Sequence, residues 1–276
     1  MLVETGRYAM TMFATMVSVL TGVSVTLPTV FDATQGAAAC RVHHIVYQQG
    51  GCGACLAFAT STVLAYRSCI HSGHDYVPSP YRIFDCLSSG CDHGLSITKV
   101  DMASIRGIGD LNGTPPVFGW GCKYGAEPML SGWVGYSSTG ALSMKADIFY
   151  HGPAVANIYV DPLFYGYRGR PDVYNLRHID AIPEEYVDSL HAVVITGWGT
   201  DPEPHWVLQN SWGPYWGNGG FVKVPLHSIT TQYAWKHDPY GMSDELVVGV
   251  WGVATLASIV ALVLQSRFLW LELRRK

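Results

Sequence analysis

Gln49-Gly50-Gly51-Cys52-Gly53-Ala54-Cys55 runs without interruption into Leu56-Ala57-Phe58-Ala59-Thr60-Ser61-Thr62-Val63-Leu64-Ala65-Tyr66-Arg67-Ser68. Three glycines make the first half a loop. The second half has no glycine or proline and carries apolar residues at helical spacing, so it predicts a buried helix starting at Cys55. A cysteine placed there is chemically distinct. A free thiol ionises near about 8.5, whereas a helix N-terminus and a neighbouring imidazolium lower that to about 3–7 and produce a nucleophile at neutral pH.

Working outward, the groups that would support such a nucleophile lie far along the chain. His191 opens the apolar run His191-Ala192-Val193-Val194-Ile195-Thr196-Gly197-Trp198-Gly199, 136 residues after Cys55. Asn210 follows 19 residues later in Gln209-Asn210-Ser211-Trp212-Gly213. A cysteine, a histidine and an asparagine in this order suit a nucleophile, a general base and acid, and an amide that holds the imidazole in its useful tautomer. Cys55 and His191 are therefore expected to face each other as a thiolate–imidazolium pair. The N–H of Cys55 and the side-chain amide of Gln49 are the expected donors to a developing oxyanion. Short β-branched or aromatic runs at 154–160, 192–198, 206–209 and 221–224, bounded by Gly, Pro, Asn and Asp, predict strands. A helical first half and a β second half predict an α+β fold with two subdomains.

Taken together these motifs resemble the papain-like cysteine protease family, and within it most of all the cathepsin B type. The likeness runs from Leu27 to about Gly249. LPTVFDA resembles the start of a mature chain, QQGGCGACLAFA the nucleophile segment, and Cys69-Ile70-His71 a detail after the helix; HGPAVANIYV, HAVVITGWG and NSWGPYWGNGGFVKV then follow in family order. The resemblance implies a papain-like fold with a mainly helical subdomain over 27–145 and an antiparallel, β-barrel-like one over 146–250, the active site lying in the cleft. It implies Cys55 as nucleophile, His191 as base and acid, Asn210 as its orienter, Gln49 in the oxyanion hole and Trp212 shielding the His191–Asn210 hydrogen bond. Gly94, in Gly90-Cys91-Asp92-His93-Gly94, is implied to bind the substrate backbone, and Ala192 and Glu245 to line the S2 pocket, where an acid would admit a basic residue.

The chain also departs from the family. Leu56 replaces the tryptophan that usually follows the nucleophile, and His93 stands where the family has glycine, near S3. No occluding-loop insertion lies between Cys122 and His191, so the implied activity is endopeptidase cleavage through a thioester on Cys55. On the same fold the alternative is a catalytically weak or inactive binding module, which Leu56 and His93 favour.

Seven cysteines are an odd number. The resemblance pairs Cys40 with Cys69, Cys52 with Cys91 and Cys86 with Cys122, which leaves Cys55 free. A redox role for Cys52-x-x-Cys55 lacks its βαβ context, and a zinc site from Cys86, Cys91 and His93 lacks ligand spacing, so no metal and no cofactor are expected. Charged residues are 14% of the chain, against about 25% in an ordinary soluble domain. A net charge of −4 gives no basic surface for a nucleic acid partner.

Both ends are apolar. Uncharged residues 8–25 follow Arg7 and predict a signal peptide over 1–24. Residues 246–264 are uncharged and precede Arg267, Arg274, Arg275 and Lys276. They predict a transmembrane helix within 246–271 and a basic cytosolic tail, 272–276. The expected protein is a single-pass type I membrane protein of the secretory pathway, with its catalytic domain lumenal (lysosome- or vacuole-like) or extracellular. Asn112-Gly113-Thr114 is a glycosylation sequon at Asn112. The expected partners are peptide or protein substrates and the membrane, with the chain itself a monomer. No propeptide fits between the leader and Leu27, so latency is expected to be absent or supplied by a separate inhibitor or pro-domain protein.

Overall fold

Beyond Ala54 the glycine-free run forms helix α1, Cys55–Ser72. It ends where Gly73 takes a left-handed φ of 69° and its N–H bonds back to the carbonyl of Cys69, a cap that suits glycine because it has no Cβ to clash. Every residue from Leu56 to Cys69 is buried, so the helix is a core element with no solvent face. In the computed structural model the described residues are 26–88, 90–92, 94–95, 108–113, 116–119, 133–169, 172–175, 190–229 and 231–237. Helix α2, Pro80–Leu87, starts on proline, whose missing N–H costs nothing at that position. It meets α1 through the rings of Phe58, Tyr81, Phe84 and Phe118, with centroids 5.0–6.3 Å apart.

The strands are β1 Phe31–Asp32, β2 Trp133–Thr139, β3 Ala154–Tyr159, β4 Leu190–Gly199, β5 His205–Gln209, β6 Phe221–Pro225 and β7 Thr231–His237. They form one antiparallel sheet in the order β2-β7-β3-β4-β5-β6, with β1 pairing to β4. Helix α3, Ala141–His151, connects β2 to β3, and the single-turn α4, Pro162–Tyr165, follows β3. The fold is papain-like α+β, and Leu27–His237 is one compact unit.

Strand β4 lies at the centre and is buried on both faces. Ala192 and Val194 join the core around Phe58 and Leu64 of α1. Val193 and Ile195 join a second core with Met144, Ile148, Trp206 and Leu208. This alternation is the two-residue period of a strand. A register shift against β5 between Ile195 and Gly197 switches the parity, so Trp198 falls on the second core as well. Gly197 has a separate reason: a Cβ there would lie 2.0 Å from the carbonyl oxygen of Phe31, so only glycine lets β1 pair against β4.

The runs at 154–160, 192–198, 206–209 and 221–224 correspond to β3, β4, β5 and β6. Strands β1, β2 and β7 had no such signal. The first has two residues, and β2 (WVGYSST) pairs with β7 (TQYAWKH) along its whole length, both too polar to read as apolar runs. The sheet thus draws β1 and β2 from the first half of the chain, and residue 145 falls inside α3.

A buried polar cluster joins α1 to this sheet. Arg67 is fully buried. Its Nε donates to the Pro153 carbonyl at 2.8 Å, one terminal nitrogen to the Tyr136 hydroxyl and the Trp235 carbonyl, and the other to the Gly152 carbonyl and Asp147 Oδ2, the last at 2.9 Å. All five guanidinium N–H groups are used. Asp147 also accepts from the Tyr136 hydroxyl and, at 2.6 Å, from Gln232 Nε2.

Disulfides brace the helical side. Cys40 bonds to Cys69 across 29 residues and Cys52 to Cys91 across 39. In the chain-entropy picture each stabilises the fold by about 4 kcal/mol. Cys86 is also disulfide-bonded, and Cys122, its expected partner, lies outside the described residues. No helix among the described residues is long and apolar enough to cross a membrane. The predicted leader, membrane span and basic tail lie outside them.

Removing one partner of the Arg67–Asp147 pair leaves a buried charge without its counterion. Asp147→Ala is expected to lower the unfolding free energy by about 3–5 kcal/mol, and the double variant Arg67→Met, Asp147→Leu to cost less than Asp147→Ala alone. Urea titrations of the three proteins check this ordering.

Candidate active site

Cys55 is the first residue of α1, and the residue before it, Ala54, offers no side-chain cap to the first turn. The thiol is the one free cysteine among the described residues. Burial pushes its pKa up, while N–H groups of Ala192, Leu56 and Cys55 itself pull it down; burial prevails. Ala192 thus brings the strand that carries His191 against the thiol. Its own side chain is 3% exposed and packs in the helix-side core, so what it presents to the site is its backbone.

His191, near the start of β4, is 5% exposed. Its Nε2 lies 2.7 Å from Asn210 Oδ1. That oxygen also accepts the backbone N–H of Ser211 at 2.8 Å, which places oxygen, not nitrogen, on this side of the amide and the proton on Nε2. Nδ1 is then the basic nitrogen. The Trp212 ring stacks on the imidazole with centroids 4.5 Å apart, and Tyr165 stacks on Trp212 at 4.9 Å and 10°. Burial lowers the His191 pKa to about 4, only partly opposed by the Asn210 hydrogen bond. Burial therefore opposes the charged forms of both groups and works against the thiolate–imidazolium pair expected from the helix start and the facing imidazole.

Gln49 is held on both sides. Its backbone N–H donates to the Ser211 carbonyl at 2.9 Å, its Oε1 accepts from Ser211 Oγ at 2.5 Å, and its Nε2 donates to the Cys52 carbonyl at 2.9 Å. One Nε2 hydrogen remains for another acceptor. Gly53 donates to the Cys91 carbonyl at 2.9 Å. A Cβ on Gly53 would lie 3.0 Å from that oxygen and 3.4 Å from the Gly94 nitrogen, so its lack of a side chain lets the loop before α1 lie against Cys91 and Gly94. No described atom comes within 4 Å of where a Gly94 side chain would stand. Leu56 is 2% exposed and packs inward.

His93 and Glu245 lie outside the described residues. Asn112 is exposed on a short 3-10 turn, Leu111–Gly113. Among the described residues no three His, Cys, Asp or Glu side chains are placed to hold a metal ion. A cleft of about 400 Å³ opens beside Trp212, lined by Gln48, Gly50, Tyr165, Arg168, Tyr215 and Trp216 as well. Of these, Gln48 and Gly50 stand inside the nucleophile-segment motif, and Trp212, Tyr215 and Trp216 inside the one that starts at Asn210. Ser211, which orients Gln49, sits in the latter too. Tyr165 and Arg168 carried no sequence signal.

The family profile described as "Papain family cysteine protease" matches residues 27–238. The chain is 29% identical over 239 residues to a gut-specific cysteine proteinase of Caenorhabditis elegans, covering 72% of this chain and 68% of that protein. It is 29% identical over 214 residues to a cysteine protease of Blomia tropicalis, covering 72% and 61%. The chain thus spans roughly two thirds of the length of these relatives. Among solved structures it is similar to procathepsin B S9 from Trypanosoma congolense, with a TM-score of 0.64 at 21% identity over 78% of this chain and 79% of that one.

The lowered imidazole pKa has a consequence for stability. Between the ordinary value of 6.5 and about 4, the unfolded state binds a proton that the folded state does not. Stability is therefore complete above the ordinary value and falls as pH drops through this window. Wild type is expected to lose about 2–3 kcal/mol more than His191→Gln between pH 7 and pH 4.5. Urea unfolding at the two pH values measures it, and equal losses would contradict a buried neutral imidazole.

Proposed function

The chain belongs to the papain family of cysteine proteases, and we propose that it is an active, cathepsin B-like endopeptidase with Cys55 as nucleophile, His191 as base and acid, and Asn210 as orienter. The observation that carries this reading is the His191–Asn210 hydrogen bond of 2.7 Å beneath Trp212, on the strand whose Ala192 N–H reaches the thiol at the head of α1.

In the proposed reaction His191 Nδ1 takes the proton of Cys55 as Sγ attacks the scissile carbonyl carbon. The N–H of Cys55 and the remaining Nε2 hydrogen of Gln49 receive the oxyanion. Collapse breaks the C–N bond, the imidazolium returns its proton to the leaving amine, and the acyl group stays on Sγ as a thioester. Water, deprotonated by the same imidazole, attacks the thioester and releases the acid and the thiol. Since burial favours the neutral pair at rest, charge separation accompanies attack instead of preceding it. Gly94 supports the substrate backbone, and Glu245 supplies the acid of S2.

The rest of the proposal concerns setting. A leader at 1–24 and a span within 246–271 hold the domain on a membrane of the secretory pathway, with Asn112 glycosylated and Cys86 joined to Cys122. The rival reading, a papain-fold binding module, is favoured by one observation: burial raises the thiol pKa.

Incubation with a peptidyl epoxide is expected to label wild type at Cys55 and to leave Cys55→Ala unlabelled; folded wild type that resists labelling overturns the activity in favour of the binding module. In the active enzyme kcat/KM is expected to rise through pH about 4 as the imidazole loses its proton. A midpoint near the ordinary 6.5 would contradict an imidazole whose pKa is lowered by burial. Carbonate extraction of membranes is expected to leave the full chain in the pellet, and its release would remove the anchor.

A further inference from the structure

We propose that Arg168 makes the leaving-group side of the cleft selective for a carboxylate on the substrate, an inference that rests on the peptidase reading above. The leaving amine takes its proton from His191, so the amine half of the substrate lies on the side where Trp212 covers that imidazole. Trp212 is also a wall of the 400 Å³ cleft, a volume within the range of about 300–1,000 Å³ common to ligand sites. Trp212, Tyr165, Tyr215 and Trp216 give it an aromatic lining, and among the described residues Arg168 is the charged one in that lining, with no carboxylate beside it.

Arg168 is exposed, yet its backbone is fixed on either side. The Tyr167 carbonyl accepts the Gly217 N–H at 3.0 Å, and the Tyr167 ring is buried against Tyr174 and Trp216. Gly169, with φ 75°, lies so close to Gly217 that a Cβ would stand 2.6 Å from its carbonyl oxygen. The guanidinium itself makes one hydrogen bond, at 3.4 Å, to the neighbouring Tyr167 carbonyl, and no ion pair with a described carboxylate. Asp161, close in sequence, is engaged by the Phe164 N–H at 2.9 Å and the Tyr174 hydroxyl at 2.8 Å. A planar, permanently charged fork on a fixed backbone, beside aromatic walls and without a counterion among the described residues, is suited to a carboxylate. That group is either an acidic side chain or the free C-terminus of the substrate.

The test uses internally quenched peptides that differ only in glutamate or glutamine at the second residue after the scissile bond, and a matched pair ending there in a free acid or an amide. Wild type is expected to favour the carboxylate form about fivefold in kcat/KM, mostly through KM. The ratio should fall to about one in Arg168→Ala, be partly kept in Arg168→Lys and shrink at about 1 M salt. A preference confined to the glutamate pair assigns the site to acidic side chains, and one confined to the free-acid pair to the C-terminus. Calorimetric binding of the corresponding dipeptides, alanyl-glutamate and alanyl-glutamine amide, to Cys55→Ala gives a second readout independent of turnover. Equal affinities and equal rates for the members of each pair overturn the role of Arg168. A binding preference that Arg168→Ala abolishes, in a protein whose wild type cleaves none of the peptides, supports the carboxylate site and overturns the peptidase reading alone.

Discussion

Arg67 sits in the last third of α1 with no exposed surface, and each of its five N–H groups finds an oxygen outside the helix. Those oxygens belong to α3, the turn after it, β2 and β7. The helix that begins with Cys55 is thereby tied to the sheet whose central strand carries His191. Apolar residues of similar volume often give equal stability at such a position. What five directional bonds add is a single orientation, because a rotation or slide of α1 would leave a buried guanidinium unsatisfied. The placement of Cys55 relative to His191 is constrained by this contact.

At the other end of α1 the same burial decides the electrostatics. Trp212 covers the ring of the buried His191, and the packing of β4 against the helix half-buries Cys55. Desolvation raises the thiol and lowers the imidazole, so burial opposes charge on both groups where a helix start and their mutual attraction favour an ion pair. The tautomer of the imidazole is set by Asn210. Trp212 also links His191 to the outer cleft, through its stack with Tyr165.

Parts of this were legible in the chain, for physical reasons. The switch from glycines to a breaker-free run at Cys55 marks a helix start whatever surrounds it. Strands β3 to β6 read as apolar runs because they are buried. Strands β2 and β7 were not legible: they hold each other by a full backbone ladder, which needs no apolar alternation. The clamp was invisible as well. Arg67 and Asp147 are 80 residues apart, and within α1 an arginine at that position has the same local pattern as one facing water. Arg168 and Tyr165 became part of a cleft only when the turn after α4 met the Gly213–Gly217 loop.

The sequence by itself determined which reactive groups are present, their order, the helix that begins at Cys55 and the strand that begins beside His191, since these follow from local propensity and spacing. Only the tertiary structure decided that Arg67 is a buried tie instead of a surface charge, that the Asn210 oxygen faces His191, and that burial opposes charge on both thiol and imidazole. Burial and pairing are set by neighbours that arrive from distant parts of the chain, and a pKa responds to those neighbours through space.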